Sequence, residues 1–542
     1  MQLIKNASKE KLRGGFYTPE PIASFILKWA FNGNKKLDIL EPSCGDGVFL
    51  EEIKKGKYKY NSVLAIEYDK AEAKKARAIK LRNSKIVNSD FHKYCITTKQ
   101  KFDLIVGNPP YIRYQFFDRE QQKHASAIFE KAVLKYSKLT NAWVSFVVGS
   151  SLLLKETGKI GFVLPAEILQ VSYAQPLREF LSHFYNKINI VSFEKLVFPD
   201  IQQEVVLLLC EKNTTKTHLI EHLELKDADA LNKLDVAKLK SPKKKIDFKS
   251  NKWTFYFLNQ KEIDFLEKIQ KKQAIPKFGS HAKVEVGITT GSNPFFTVPL
   301  STVKTYNMER YAQPLVGRSV QVPSAIFTIE DWNKNRDIEA RTHLLIFPKM
   351  SELNGSMGTR DYISVGEKEK IHEGYKCRIR EEWQIVPSLR VSDALFIRRN
   401  NLYPKLIINK AQAYTTDTMH RVTVNPNVKI RALTASYYNS LSLAFTEICG
   451  RSHGGGVLEL MPNEVEEILL PYDETNASLL PIIDKMIRGK KDISEILKIT
   501  NEKILKNNLG FTDQEIKLAD GIWKKLSNRR LNRGKKVLSP PK

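Results

Sequence analysis

Between residues 20 and 212, apolar runs rich in β-branched residues alternate with stretches of helical periodicity, and no other feature constrains the fold as much. Residues 37–47, LDILEPSCGDG, read as a strand that ends in a glycine loop, and a helix follows from 47 to 55. SVLAIEYD (62–69) reads as the next strand, before a helical stretch over 70–83. KIVNSDF, FDLIVGNPPY, KIGFVLPAEIL, KINIVSFEKLVF and EVVLLLCEK read as further strands, with helices such as HASAIFEKAVLKY between some of them. Strands alternating with helices imply a mostly parallel, doubly wound α/β sheet, and this domain is expected over 1–225.

A chain of 542 residues is too long for one core. The β–α rhythm stops in a polar, lysine-rich stretch, which reads as a linker or peripheral segment over 226–275. Short strands and turn residues without βαβ order predict a mixed α+β domain over 276–475. Helical patterns fill 476–542, whose end from Lys524 to Lys542 holds eight basic residues and no acidic one.

Lysine and arginine outnumber aspartate and glutamate by 87 to 60, for a formal charge of +27. Such an excess favours a polyanionic partner, nucleic acid before membrane, because no basic amphipathic anchor helix stands out. Five scattered cysteines form no CxxC pair, so neither a disulfide framework nor a metal site is expected. There is no apolar run of membrane-spanning length and no secretory leader in MQLIKNASKEKLRGG. A cytoplasmic protein is the resulting expectation.

Ligands of open α/β sheets bind beyond the carboxyl ends of the strands, next to the first glycine loop. The loop Glu41–Gly47 stands there, with Glu41, Ser43, Gly45 and Gly47 as its ligand-facing residues. It is neither GxGxxG nor a P-loop, so a nucleoside without phosphates suits it better than a nucleotide. Glu67 closes the next strand about twenty residues on, where a carboxylate accepts ribose hydroxyls. Asp90 closes the third and is placed to accept from an adenine amino group, with the Phe91 ring over the base. Together these ends point to an adenosine-type ligand such as S-adenosylmethionine.

The fourth strand stops at Asn108-Pro109-Pro110-Tyr111, beside that ligand. An exocyclic amine on a purine is a poor nucleophile, because its lone pair is delocalised into the ring. Two acceptors on its N–H bonds, the Asn108 side-chain oxygen and the Pro109 carbonyl, draw the nitrogen toward tetrahedral geometry. The prolines keep those oxygens aimed without a competing N–H. Tyr111 stacks on the base, which leaves the duplex to reach such a pocket, and Phe198 is the candidate for the opposite face. Methyl transfer then follows from proximity and orientation.

These residues resemble the γ-arranged, Taq-type DNA adenine-N6 methyltransferases. GGFYTP is similar to their leading motif, which implies that Thr18 holds the methionine end of the cofactor. LEPSCGDGVFL resembles their cofactor loop, AIEYD their ribose-binding acid, NSDF their adenine-binding pair and NPPY their catalytic motif. GKIGFVLPAEIL and VFPDIQQEVVLLL resemble later motifs, and the latter implies base stacking by Phe198. VEVGITTGSNPFF and RSHGGGVLELMPNEVEEILLP resemble segments of the target-recognition region. The resemblance implies a Rossmann-like methyltransferase domain, S-adenosylmethionine as cofactor and double-stranded DNA as substrate, and a recognition domain on the same chain makes a monomer the default expectation. It also implies a bacterial setting, as an orphan enzyme or with a separately encoded cognate restriction endonuclease. Arg113 and Tyr114, beside NPPY, are expected to touch DNA.

The nearest rival is methylation of another amide-like nitrogen, on cytosine N4, rRNA guanine or a protein glutamine. A fused nuclease is disfavoured, because the cofactor motif starts at Gly14 and PDIQQEVV lacks the lysine of a PD…ExK site. A binding-only protein with a dead methyltransferase fold is disfavoured by the intact NPPY and cofactor loop.

Overall fold

The structure is a computed structural model that describes residues 17–31, 35–112, 116–135, 140–195, 197–198, 204–239, 244–246, 252–272, 275–353, 357–453 and 455–534. The chain divides into two compact units, with the division between Ile263 and Asp264.

The first unit is built on one nine-stranded sheet. Its strands are β1 (Leu37–Glu41), β2 (Tyr60–Glu67), β3 (Ser84–Asn88), β4 (Phe102–Gly107), β5 (Leu154–Pro165), β6 (Lys187–Phe193), β7 (Val205–Glu211), β8 (Leu219–Leu225) and β9 (Lys244–Lys245). They lie in the order β3-β2-β1-β4-β5-β7-β6-β8-β9. From β3 to β5 every neighbour is parallel. β7 runs antiparallel between β5 and β6. Helices α1 (Glu20–Ala30), α2 (Val48–Lys55), α3 (Lys70–Ala78), α4 (Phe91–Thr97), α5 (Arg119–Lys131), α6 (Ala142–Leu152) and α7 (Gln175–Phe184) join or cover these strands.

The run FDLIVG of β4 is buried at every residue, as is all of VVLLLC in β7. Such unbroken apolar runs belong to strands covered on both faces. α1 places Ile22, Phe25, Ile26 and Trp29 in one cluster with Val163, Leu207 and Leu209. The winding goes outward from β1 through β2 to β3, then returns to the other side of β1 at β4. The carboxyl ends of β1 and β4 therefore flank the crevice of a topological switch point. This is the doubly wound α/β architecture that the alternation predicts.

The stretch 226–275, read from sequence as a linker or peripheral segment, contains β9, three short 3-10 turns and the whole of the helix Gln260–Lys272. The first unit runs on through it to Ile263.

The second unit is mixed α+β. A five-stranded sheet has the order Ala282–Val286, Met419–Val424, Ala394–Ile397, Leu406–Asn409 and Ile326–Phe327, and four- and three-stranded sheets accompany it. The C-terminal helices are part of this unit. Arg530, on the helix Asp513–Gly534, is 1% exposed and grips Glu447 through Nε (3.0 Å) and Nη2 (2.7 Å). It also donates to the carbonyls of Asn401, Leu402 and Gly456. At least one charge of the basic C-terminal run is thus a core contact. Among the described residues, no helix is long and apolar enough to cross a membrane.

Candidate active site

β1 delivers Glu41 to the sheet edge, and the chain turns through Pro42–Gly47 into α2. Gly45 has φ +52° and Gly47 φ +103°, a region that side chains strain to occupy. A Cβ on Gly47 would sit 2.4 Å from Ile79 Cδ1, whereas one on Gly45 would meet nothing within 4 Å. Gly47 lets the loop close against α3, and Gly45 leaves open space in front of it.

Glu67, the last residue of β2, ties this loop down. Its Oε2 accepts the Gly45 N–H and its Oε1 the Asp69 N–H, each at 2.8 Å. The Cys44 N–H adds a bond to the Ile66 carbonyl. Burial raises the Glu67 carboxyl above its ordinary range, against the two amide bonds. Glu41 is 2% exposed, and its Oε2 has no hydrogen-bond partner. Burial first, then the charges of Glu67 and Asp46, push its carboxyl well up.

Asp90 caps α4, accepting from the backbone of His92 (Oδ1, 3.1 Å) and Lys93 (Oδ2, 3.2 Å). Two imidazoles approach the same carboxylate, His92 Nδ1 at 3.1 Å and His124 Nδ1 at 3.3 Å. Burial works to raise this carboxyl, but the hydrogen bonds and charge of His92, with help from His124, leave it below the ordinary value. The Phe91 ring is buried and stacked on Phe146, with centroids 4.9 Å apart.

β4 pairs with β5 as far as Gly107, opposite Phe162, and Asn108 follows. Pro109 and Pro110 have no N–H with which to continue the ladder. The Ser43 hydroxyl donates to the Asn108 carbonyl at 3.4 Å, joining the ends of β1 and β4. The Tyr111 hydroxyl donates to the Val163 carbonyl on β5 at 3.1 Å. Its ring packs against the core cluster that holds Phe198, itself buried.

These strand ends open on one cavity of about 520 Å³. Thr18, Glu41, Ser43, Gly45, Glu67, Asp90, Phe91, Asn108 and Pro110 line it; Gly47, Pro109, Tyr111 and Phe198 do not. Arg113 and Tyr114 lie outside the described residues. The structure adds lining residues that the sequence reading did not single out: Asp46, Asp69, Glu72, His92, Phe146, and the aromatics Tyr17, Tyr68 and Phe116. The last three are more than half exposed. No local sequence signal singles out Asp46, Asp69 and Glu72, which stand near helix starts as ordinary solvated acids do.

The cavity inverts the charge of the protein. In a chain of formal charge +27, the described residues of its walls carry six carboxylates, Glu41, Asp46, Glu67, Asp69, Glu72 and Asp90, against one lysine, Lys70. Such walls repel phosphate and attract a cation that also offers hydrogen-bond donors. The volume falls within the range of cofactor pockets.

A family model described as Eco57I restriction-modification methylase matches residues 22–198. A second, described as the C-terminal domain of Type II methyltransferase M.Eco57I, matches residues 250–505. Type II methyltransferase M.AccI of Acinetobacter calcoaceticus is 26% identical over 506 residues, covering 90% of this chain and 88% of its own. Type II methyltransferase M.HincII of Haemophilus influenzae is 27% identical over 289 residues; the match covers 51% of this chain and 50% of that relative. Among solved structures, a nuclease-deletion mutant of the Type ISP restriction-modification enzyme LlaGI, in complex with a DNA substrate mimic, overlaps 81% of this chain and 52% of its own at 13% identity and a TM-score of 0.48.

Proposed function

The chain belongs to the Eco57I-type restriction-modification methylases, and from that premise we propose that it methylates N6 of an adenine flipped out of double-stranded DNA. The observation that carries this reading is the shared cavity: Asn108 and Pro110 face the same space as Glu41, Glu67 and Asp90.

S-adenosylmethionine, the cofactor, supplies when bound an electrophilic methyl group on a positively charged sulfonium. The residues present fit it. The buried, unpartnered Oε2 of Glu41 suits the ammonium of its methionine end, together with Thr18 and Ser43. Glu67 keeps lone pairs beyond its two amide bonds for ribose hydroxyls. Asp90 and Phe91 suit the adenine, and the acid walls suit the cation.

On the substrate side, the Asn108 amide oxygen and the Pro109 carbonyl accept the two N–H bonds of the target amine, which frees its lone pair. Tyr111, whose hydroxyl is bonded to Val163, and Phe198 share a core cluster outside the cavity lining, and they hold the base by stacking once they part around it. No covalent nucleophile takes part: burial, then Glu41 and Glu67, push the nearby Cys44 thiol up, so it stays protonated. Arg113 and Tyr114 contact DNA near the flipped base, and the region 276–475 reads the sequence. The enzyme works as a monomer in the bacterial cytoplasm, with or without a separately encoded cognate endonuclease.

The test is nucleoside analysis of plasmid DNA from a methylation-free host that expresses the protein. N6-methyladenine, confined to one sequence context, is the expected product. N4-methylcytosine would overturn the choice of base. Bare DNA, with methyl transfer to RNA or to a protein glutamine, would overturn the substrate.

A further inference from the structure

The Asp90 carboxylate is fully engaged. Two carboxylate oxygens offer about four acceptor positions, and four donors or ring nitrogens stand on them: the His92 and Lys93 N–H groups and the Nδ1 atoms of His92 and His124. An adenine amino group that binds Asp90 must displace one of them. The two backbone bonds form the cap of α4 and leave only if the helix end unwinds. His92 is 1% exposed, its Nε2 lies 2.7 Å from the Ser145 hydroxyl, and Phe117 and Phe146 pack edge-on against its ring. His124 differs on each count. Its contact is the longest of the four, its side chain is 14% exposed, and its Nε2 has a second carboxylate, Glu120, at 4.0 Å on the same helix.

We propose that His124 and the cofactor's adenine amino group compete for one acceptor position on Asp90, and that cofactor binding releases His124 toward Glu120. The inference rests on the reading that Asp90 receives the adenine. It makes His124 a positioning residue that competes with the ligand.

The experiment titrates S-adenosylhomocysteine into the full-length protein by calorimetry and compares the parent with His124→Ala and His124→Leu, which carry no side-chain N–H donor for Asp90; thermal melts exclude misfolding. Both variants are expected to bind about three- to tenfold more tightly than the parent. Equal or weaker binding by both variants would overturn the inference.

Asp90→Asn separates this from the underlying reading, since asparagine also caps helices. Parent-like affinity in Asp90→Asn removes the adenine contact itself. Weakened affinity there, with no effect at His124, removes only the competition.

Discussion

The carboxylate of Glu67 holds the N–H of Gly45 at 2.8 Å and so fastens the loop after the first strand to the end of the second. With the Asp69 N–H on the other oxygen, one side chain sets two sides of the cavity. An amide in its place turns an NH2 group toward one of the two donors. Glu67→Gln is therefore expected to cost about 1–3 kcal/mol of stability, the usual result of stranding a buried donor. Cofactor affinity should fall with it. Chemical denaturation and calorimetric titration measure the two losses, and an unchanged midpoint would mean that the clamp is not structural.

Glu41 has the opposite character, because burial with no hydrogen-bond partner on Oε2 is a cost. The folded carboxyl titrates well above its ordinary value of 4.5, so between those two values the native state binds more protons than the unfolded chain. Stability from this group is fully present below 4.5 and is lost as pH rises through the folded value. Glu41→Gln should flatten that decline in thermal melts of the cofactor-free protein from about pH 5 to 8. It should also weaken S-adenosylmethionine binding, since the cation's partner is gone. A variant that melts lower at pH 8 and binds normally would contradict both halves.

The two glycines of the loop should respond differently to alanine. At Gly47 the added Cβ meets Ile79 at 2.4 Å and the φ is +103°, so loss of about 2–4 kcal/mol is expected. At Gly45 the φ is +52° and the space is open, so the stability cost is about 1–2 kcal/mol from backbone strain alone. Parallel urea titrations of Gly45→Ala and Gly47→Ala check the order.

In the second unit, Arg530→Met leaves Glu447 buried without its cation and should cost about 3–5 kcal/mol. Burial already raises the Glu447 carboxyl in the parent, against the pull of Arg530. The double variant Arg530→Met, Glu447→Leu should recover much of the loss, because no charge is stranded. Equal midpoints for the single and double variants would show that the carbonyl contacts of Arg530 matter more than the ion pair.

Much of the first unit was legible because strand ends carry their own punctuation. Gly45 and Gly47 close one strand, Glu67 and Asp90 two others, and Pro109-Pro110 a fourth, all within a β–α alternation that admits few topologies. The charge of the cavity was not legible. Asp46, Asp69 and Glu72 look like ordinary solvated acids near helix starts, and only the winding of the sheet turns them toward Glu41. The ring of donors around Asp90 was hidden for a similar reason, since His124 lies 34 positions away. β8 was missed because only Ile220 of its seven residues is fully buried, which blurs the apolar pattern. Arg530 sat in what looked like a basic tail, and nothing local in the sequence distinguishes a buried arginine from a solvated one.

In the proposed site, cofactor binding and chemistry fall to different residues of one cavity, and a single variant should separate them. Asn108→Ala leaves the acidic walls intact, so calorimetry should find S-adenosylmethionine affinity within about threefold of the parent. Methyl transfer to DNA by the same preparation should fall by at least about 10²–10³-fold, the usual effect of deleting an oriented polar group that acts on the transition state. Parent-like turnover in Asn108→Ala, or loss of cofactor binding together with activity, would contradict this division of the site.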